Sequence, residues 1–120
     1  MFIRCAFFRG RVKPGCEDAF SQFVQDKLVP LWTQFPGAQE VRVLRQQEAD
    51  VTDPHYDMVL AIRYSSRQAV DVALASEVRA QSRAVTAELV KMFDGDIFHT
   101  LFRADQFPTM AAALDIGLPQ

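Results

Sequence analysis

Cysteine, histidine and tryptophan are all scarce in this sequence of 120 residues. The two cysteines, Cys5 and Cys16, are too few for a disulfide scaffold and lack the spacing of metal ligands. A reducing compartment is therefore expected, and we predict a cytoplasmic protein. A glycine-rich phosphate loop, a dinucleotide fingerprint and a Ser-His-Asp spacing are missing as well. The enzyme classes that these motifs mark are not indicated.

Long apolar runs and an excess of positive charge are also missing. The stretch MFIRCAFF is interrupted by Arg4 and followed by Arg9 and Arg11, so we expect neither a signal peptide nor a membrane span. A net charge of -2, with Lys and Arg scattered along the chain, argues against nucleic-acid binding. What the chain does have is ten Phe and 49% hydrophobic residues, which suit one domain with one core.

The first half of the chain predicts a strand, a helix and a second strand. Alternating apolar residues place the first strand at residues 2–8, before the Gly- and Pro-containing stretch RGRVKPG. A helix is expected to begin near Cys16, to be kinked or broken at Pro30, and to close at FPG. The second strand is predicted over residues 39–47. The helix carries one apolar stripe, formed by Phe20, Phe23, Val24, Leu28, Leu31 and Phe35.

In the second half of the chain, the spacing of the apolar residues changes within the stretch YDMVLAIRYSSRQAVDVALAS. Apolar residues alternate over residues 56–64 and then recur at helical spacing, which predicts a strand followed by a helix capped by Ser65 or Ser66. A longer helical piece begins at Ser76, FDGD predicts a stop and a turn, and the last strand is expected at residues 97–103. The order β-α-β-β-α-β predicts a ferredoxin-like α+β fold with a four-stranded antiparallel sheet.

The first and last predicted strands are apolar on both sides. In the ferredoxin-like plan both helices cover one face of the sheet, so the other face needs a second cover. We therefore predict a homodimer that packs sheet against sheet about a two-fold axis. The predicted domain spans residues 1–103, and the apolar tail at residues 104–120 is expected to pack on the body or on the partner subunit.

Several short stretches are shared with a known group of proteins. They are VKPG after the first strand, VPLWTQFPG at the end of the first helix, YDMVLAIRYSSRQAV and ALASEVRAQ in the middle, and FDGDIF before the last strand. On these stretches the chain resembles the dimeric α+β barrel superfamily and, within it, the EthD-like proteins. The resemblance implies a pocket between the helices and the sheet of each subunit. Relatives of this shape include cofactor-independent quinol monooxygenases, haem-degrading monooxygenases, muconolactone-type isomerases, polyketide cyclases and stress-responsive proteins.

One position departs from the pattern of these relatives. EthD-like and muconolactone-isomerase relatives often have a His on the first helix, two residues before a proline, whereas LVPL places Leu28 there. Leucine neither donates nor accepts a proton, so acid-base chemistry at that position is not implied for this chain. A haem-binding function is disfavoured because the second helical segment contains no His. No cofactor is predicted.

His99, in IFHTLF, is the predicted catalytic residue, because it lies within a strand and titrates near neutrality. It is interpreted either as a general base in the pocket or as a histidine of the core or dimer interface, and alternation on both sides leaves its face undecided. His55 is expected to be solvated. A metal site built from His55, Asp53, Asp57 and His99 is not predicted, because nothing fixes their spacing.

The residues predicted to bind a substrate are aromatic or sulfur-containing: Cys5, Phe7, Trp32, Tyr56 and Met58. Core packing is the alternative role for each of them. Arg4, Arg42, Asp57 and Arg63 alternate with apolar residues, and if they share the outer face of the sheet they are expected to form ion pairs within the dimer.

The function predicted from the resemblance is the binding or transformation of a small apolar oxygenated compound, by monooxygenase, isomerase or cyclase-like chemistry. His99 would move a proton without a metal or an organic cofactor. The alternative is a non-catalytic dimeric protein of stress response or partner binding. A vacant pocket containing His99 favours the first function, and a filled core with His99 in the dimer seam favours the second.

Overall fold

The structure, a computed structural model, describes residues 1–115 and contains a four-stranded antiparallel sheet. Its strands are β1 (Phe2–Val12), β2 (Glu40–Leu44), β3 (Tyr56–Tyr64) and β4 (Phe93–Arg103). The helices are α1 (Glu17–Phe23), α2 (Val29–Trp32), α3 (Arg67–Leu74), α4 (Glu77–Leu89) and α5 (Met110–Asp115), with a π-helical turn at Val24–Leu28 and a 3-10 turn at Val90–Met92. The spatial order β2-β3-β1-β4 confirms the predicted ferredoxin-like plan.

The break predicted at Pro30 takes the form of a widened helical turn. Proline has no N–H to donate, and its ring clashes with the carbonyl four residues earlier. The chain accommodates this with the π-helical turn Val24–Leu28, which lies between α1 and α2. Leu28, in this turn, is fully buried in the core.

Serine caps begin both helices of the second half. The Ser66 hydroxyl accepts a hydrogen bond from the Ala69 N–H at 3.1 Å, at the start of α3. The Ser76 hydroxyl accepts one from the Arg79 N–H at 3.3 Å, at the start of α4. The division of this segment into two helical pieces at Ser76 is confirmed, because each cap satisfies an N–H that the helix leaves free.

The turn predicted at FDGD is wrong, because β4 runs straight through this stretch. Gly95 pairs with Gly10 across the strands, and the two glycines have φ angles of 153° and 133°. A Cβ on Gly95 would lie 2.0 Å from the Arg9 carbonyl oxygen. Glycine at both positions lets the backbones approach this closely, so β1 and β4 continue to Val12 and Phe93. Strand β2 is shorter than predicted and ends at Leu44.

The core lies on one face of the sheet, which we call the inner face. Alternate residues of β1 and β3 point to it, and they are buried against residues of the helices. The sheet contributes Ala6, Phe8, Met58, Leu60, Ile62 and Tyr64 to this core, and the helical segments contribute Phe20, Val24, Leu28, Trp32, Val70, Ala73 and Leu89.

The opposite face, which we call the outer face, carries an aromatic cluster outside that core. Phe7 stacks on Phe98 with ring centroids 5.0 Å apart, and it contacts Tyr56 at 5.3 Å and Phe102 at 6.5 Å. None of the four rings belongs to the core cluster, and Phe102 is exposed. At least four aromatic rings thus share the face that this subunit's own helices leave open.

The tail that follows β4 leaves its large apolar residues open to solvent. Phe107 is 81% exposed, and Met110 and Leu114 of α5 are 84% and 54% exposed. These residues therefore do not pack on the body of the same subunit, and the part of the predicted tail at residues 116–120 lies outside the described residues. In residues 1–115, no helix has the length and hydropathy that a membrane crossing requires.

Candidate functional site

A cavity of about 320 Å³ lies between the inner face of the sheet and the helices. Its floor is formed by β1, β3 and β4, and its walls by α4 and by Trp32 and Phe35 at the end of the first helical region. The lining residues on the sheet are Arg4, Ala6, Phe8, Leu60, Ile62, Tyr64, Ile97 and His99, and those on α4 are Arg79, Ser82, Arg83 and Thr86.

His99 belongs to this cavity because of the register of β4. It pairs with Ala6 of β1, and residues paired across antiparallel strands point to the same face. Ala6 and Phe8 are inner-face core residues, so the imidazole points toward the helices. The register therefore decides which face His99 occupies, which alternation left open.

Three arginines share the cavity with His99. Arg4 reaches it from β1, next to Ala6 on the inner face, while Arg79 and Arg83 are one helical turn apart on α4. None of the ion pairs found in residues 1–115 involves these three guanidinium groups. No Asp or Glu within that range lines the cavity. Its surface is therefore cationic, although the whole chain carries a net charge of -2.

The electrostatics of the cavity keep its histidine neutral. Burial and the charges of Arg4, Arg79 and Arg83 lower the pKa of His99 to about 4. Although the residue is exposed in the subunit, it lines the cavity, where the surrounding protein reduces its contact with water. Burial, and then the neighbouring Arg79, lower the pKa of Arg4. Burial raises the pKa of Tyr64, so its hydroxyl stays protonated.

Titration of His99 followed by NMR is expected to show a midpoint near pH 4, well below the usual value of about 6.5. The unfolded chain takes up this proton near pH 6.5 and the folded chain near pH 4. The folded state therefore loses stability as the pH falls from about 6.5 to about 4. An Arg83→Gln variant should raise the midpoint because it removes one of the three charges. A midpoint near 6.5 in the wild type would contradict this account of the cavity.

The residues predicted to bind a substrate do not share one cavity. Trp32 lines the cavity with His99, and Met58 points to the inner face but is 1% exposed within the core and does not reach the cavity. Cys5 and Phe7 lie on the outer face, because they alternate with Arg4, Ala6 and Phe8 along β1. Burial raises the pKa of the Cys5 thiol, which keeps it protonated.

Tyr56 reaches the outer face through an irregularity in the pairing of β1 with β3. Phe8 pairs with Met58, but Arg9 pairs with Tyr56, so Asp57 is an extra residue in β3. Such a bulge moves every residue beyond it to the other face. Tyr56 therefore points to the outer face and contacts Phe7. Strict alternation from Met58 would have placed it on the inner face.

Ion pairs within the dimer were expected for Arg4, Arg42, Asp57 and Arg63 if all four share the outer face of the sheet. They do not all lie on that face. Arg4 lines the cavity. Arg42 forms an ion pair at 2.6 Å with Glu40 of its own strand, and Asp57 contacts His55. The pair of Arg42 with Glu40 lies on the outer face, because Val41 between the two residues pairs with the inner-face Ile62. A second outer-face ion pair joins Arg9 and Asp96 at 2.6 Å, with the Arg9 guanidinium 4.8 Å from the centre of the Phe98 ring.

His55 holds a loop together, and the expectation that it is solvated is wrong. Its side chain is 18% exposed, its Nδ1 atom lies 3.1 Å from Gln46 Nε2, and its Nε2 atom lies 3.3 Å from Asp57 Oδ1. A neutral ring protonated on Nε2 accepts from Gln46 and donates to Asp57. His99 is not part of this loop, because it lines the cavity on the inner face. Residues 1–115 contain no group of three His, Cys, Asp or Glu side chains placed to hold a metal.

Sequence reasoning missed the cationic side of the cavity, although α4 carries a pattern that indicates it. Arg79, Ser82, Arg83 and Thr86 recur at intervals of three and four, so they form one polar stripe beside the apolar stripe of the same helix. A polar stripe usually faces solvent. Here Ser82 is buried, which shows that the stripe turns toward the protein.

Comparison with solved structures finds proteins of the same shape. An EthD family protein from Bacillus halodurans C-125 is similar with a TM-score of 0.67 and 14% identity, over 88% of this chain and 99% of that one. A dimeric ferredoxin-like protein of unknown function from Jannaschia sp. CCS1 has a TM-score of 0.61 and 14% identity, over 86% of this chain and 98% of that one.

A third similar structure is that of SnoaB, a cofactor-independent oxygenase from Streptomyces nogalater. Its TM-score is 0.59 at 18% identity, over 88% of this chain and 93% of that one. No family model and no curated protein matches the sequence. The chain therefore has the ferredoxin-like α+β fold of these structures, as the resemblance of its sequence to EthD-like and other dimeric α+β barrel proteins implied.

Proposed function

We propose that the chain binds a small, largely apolar oxygenated molecule in the cavity of about 320 Å³ and that His99 accepts a proton from it. The observation that carries the proposal is that His99 lines this cavity beside three arginines. The volume is near the lower end of the range of about 300–1,000 Å³ typical of ligand pockets, which favours a small compound. Trp32, Phe8 and Phe35 supply apolar surface for its body.

The proton transfer follows from the charges around His99. At neutral pH the imidazole is neutral, so a ring nitrogen has a free lone pair for a proton from a ligand O–H or acidic C–H. The transfer leaves an imidazolium and an oxyanion or enolate, and the oxyanion forms beside Arg4, Arg79 and Arg83. These guanidinium groups stabilise the anion, and the anion offsets their repulsion of the imidazolium. Returning the proton to another atom completes an isomerisation or a cyclisation.

The similar structures support this class of function without naming a substrate. An EthD family protein and a cofactor-independent oxygenase share the fold at 14% and 18% identity. Under this proposal the chain is a cofactor-independent, EthD-like enzyme of small-molecule metabolism. Its substrate is identified by screening small phenols, quinols and lactones, with haemin as a probe of the haem alternative.

A test of the proposal measures proton exchange as well as binding. A compound that binds the cavity should raise the melting temperature of the wild type, and its acidic C–H should exchange with D₂O in the presence of the protein. The His99→Asn variant is expected to slow this exchange by about 10²–10⁴-fold while the compound still binds. His55→Asn, outside the cavity, is the matched control and should exchange at the wild-type rate.

The alternative function is non-catalytic binding of a protein partner. The exposed Phe107, Met110 and Leu114 of the tail favour it, because large apolar side chains in one segment are typical of a surface that a partner covers. If none of the screened compounds binds, or if exchange is the same in the His99→Asn variant, the enzymatic proposal is wrong and this alternative replaces it.

We also propose that the protein is a homodimer formed through the outer faces of two sheets. The outer face presents Phe7, Tyr56, Phe98 and Phe102, which lie outside the subunit's own core. Arg9 and Asp96 provide a charged pair beside these rings. An apolar centre with a polar rim is the usual anatomy of a protein interface. The fold is shared with a dimeric ferredoxin-like protein, which supports this assembly.

A further inference from the structure

The cationic surface of the cavity restricts the ligand beyond what the proposed function requires. Three guanidinium groups lie around one small space, and no carboxylate among residues 1–115 lines it. Arginine stays protonated in proteins, so the lining carries three positive charges, and His99 adds none at neutral pH. The chain as a whole is acidic, so this concentration of charge is local to the cavity.

Holding like charges together without counterions is unfavourable. The effect is visible in the lowered pKa of Arg4, to which Arg79 contributes, and in that of Arg79, to which Arg83 contributes; burial is the larger cause in both. Three arginines outside the cavity are paired with a carboxylate: Arg9 with Asp96, Arg42 with Glu40 and Arg67 with Asp71. The cavity arginines have no such partner among residues 1–115, so their charge is available to a ligand.

Two hydroxyl groups of the cavity lie on the same helix as two of its arginines. Ser82 and Thr86 belong to the same stripe of α4 as Arg79 and Arg83. Their hydroxyls donate hydrogen bonds at 2.8 Å and 2.7 Å to the carbonyls of Arg79 and Ser82, so they fix the helix instead of neutralising the guanidinium groups. Trp32, Phe8 and Phe35 add aromatic surface to the same cavity. The cavity therefore offers a ligand both guanidinium groups and apolar surface.

We propose that the ligand is an amphipathic oxyanion: an apolar ring that packs on the aromatic residues of the cavity, with a carboxylate or an equivalent anionic group bound by Arg4, Arg79 and Arg83. Guanidinium groups bind such oxyanions with paired N–H donors, which gives direction as well as charge. This inference rests on the proposed function for the location of the ligand and adds its chemical class. It also orients the ligand, with its anionic end toward α4 and β1.

Binding of an oxyanion has a consequence for His99. The charged and titratable groups that face the cavity are Arg4 from β1, Tyr64 from β3, and Arg79 and Arg83 from α4. Trp32 of α2 adds no charge. A bound anion neutralises part of the repulsion from the arginines, so the pKa of His99 rises toward its ordinary value. Ligand binding would thereby make the imidazole a stronger base than it is in the free protein.

The probes for a test are 2-naphthoate, 2-naphthyl phosphate and the neutral 2-naphthamide, which share one ring and differ in the polar end. Calorimetric titration of the wild type should show binding of 2-naphthoate at least about 10-fold tighter than binding of the amide. In the Arg79→Gln/Arg83→Gln double variant this preference should disappear while the affinity for the amide changes less than about two-fold. Arg67→Gln removes an arginine outside the cavity and should keep the preference. The phosphate ester shows whether carboxylate or phosphate is the preferred oxyanion.

The results separate this inference from the proposed function. If amide and naphthoate bind equally well in the wild type, the cavity takes apolar molecules but the anion preference is wrong. If none of the naphthyl probes binds, inorganic phosphate is titrated while the His99 resonances are observed by NMR. A rise in the pKa of His99 that requires Arg79 and Arg83 supports the anion site without the apolar part. The absence of any response to phosphate overturns the inference.

Discussion

Phe98→Glu is expected to convert the proposed dimer into a monomer. Phe98 belongs to the outer-face cluster, stacked on Phe7 at 5.0 Å and 6.3 Å from Tyr56. In a two-fold interface each substitution occurs twice, so two carboxylates would replace two rings of the apolar cluster, and the neighbouring Arg9 is already paired with Asp96. An unpaired buried charge costs several kcal/mol, which is enough to weaken association by about 10³-fold or more.

Sedimentation velocity at several protein concentrations measures this change. Wild type should sediment as a dimer and Phe98→Glu as a folded monomer, with circular dichroism confirming that the variant keeps its secondary structure. Val72→Glu is the matched control, because Val72 is an exposed apolar residue on α3, which packs on the inner face. It should remain dimeric. A wild-type protein that sediments as a monomer, or a Phe98→Glu variant that stays dimeric, would contradict assembly through this face.

The plan of the fold was predictable because its determinants are local. Apolar alternation over residues 56–64 specifies β3 at its observed bounds, and the cap at Ser66 specifies the start of α3. Pro30 acts through its missing N–H and its ring, so its effect on the first helix was visible without any tertiary information. These features depend on neighbours within a few residues along the chain.

Properties that depend on pairing between strands were not predictable. FDGD resembles a turn because Gly and Asp favour turns, and only its partner Gly10 shows that Gly95 allows two strands to approach instead. The bulge that turns Tyr56 to the outer face arises in the same way, from a mismatch with Arg9. Local propensity does not contain the register of a distant strand, and register decides the face of every side chain.

Only part of the candidate site was predictable, because the rest depends on contacts between elements that are distant in sequence. His99 and Trp32 were chosen for their chemistry, and both line the cavity. The sequence leaves the face of Arg4 open because strand β1 is apolar on both sides, and Arg79 and Arg83 give no signal because charged residues on a helix usually face solvent. The cationic side of the cavity forms only when β1 and α4, far apart in sequence, face each other.

Gly95→Ala is expected to lower the free energy of unfolding by about 3 kcal/mol or more. Two effects contribute: its φ of 153° is a conformation that L residues rarely adopt, and the new methyl would lie 2.0 Å from the Arg9 carbonyl oxygen and 2.8 Å from the Phe93 ring. Backbone strain of this kind costs of the order of 1–3 kcal/mol. The clash adds a cost of similar size, since neither the backbone of β1 nor the buried Phe93 can move freely.

Urea unfolding of the wild type and the variant at one protein concentration measures the loss. Gly15→Ala separates the two contributions, because Gly15 also has a positive φ, 85°, but a Cβ there meets no atom within 4 Å. It should cost about 1 kcal/mol, from backbone strain alone. The excess for Gly95→Ala is then the cost of separating β1 from β4. Equal losses in the two variants would show that the strands do not approach as closely as the Gly10–Gly95 pairing requires, and the continuation of β4 through FDGD would be wrong.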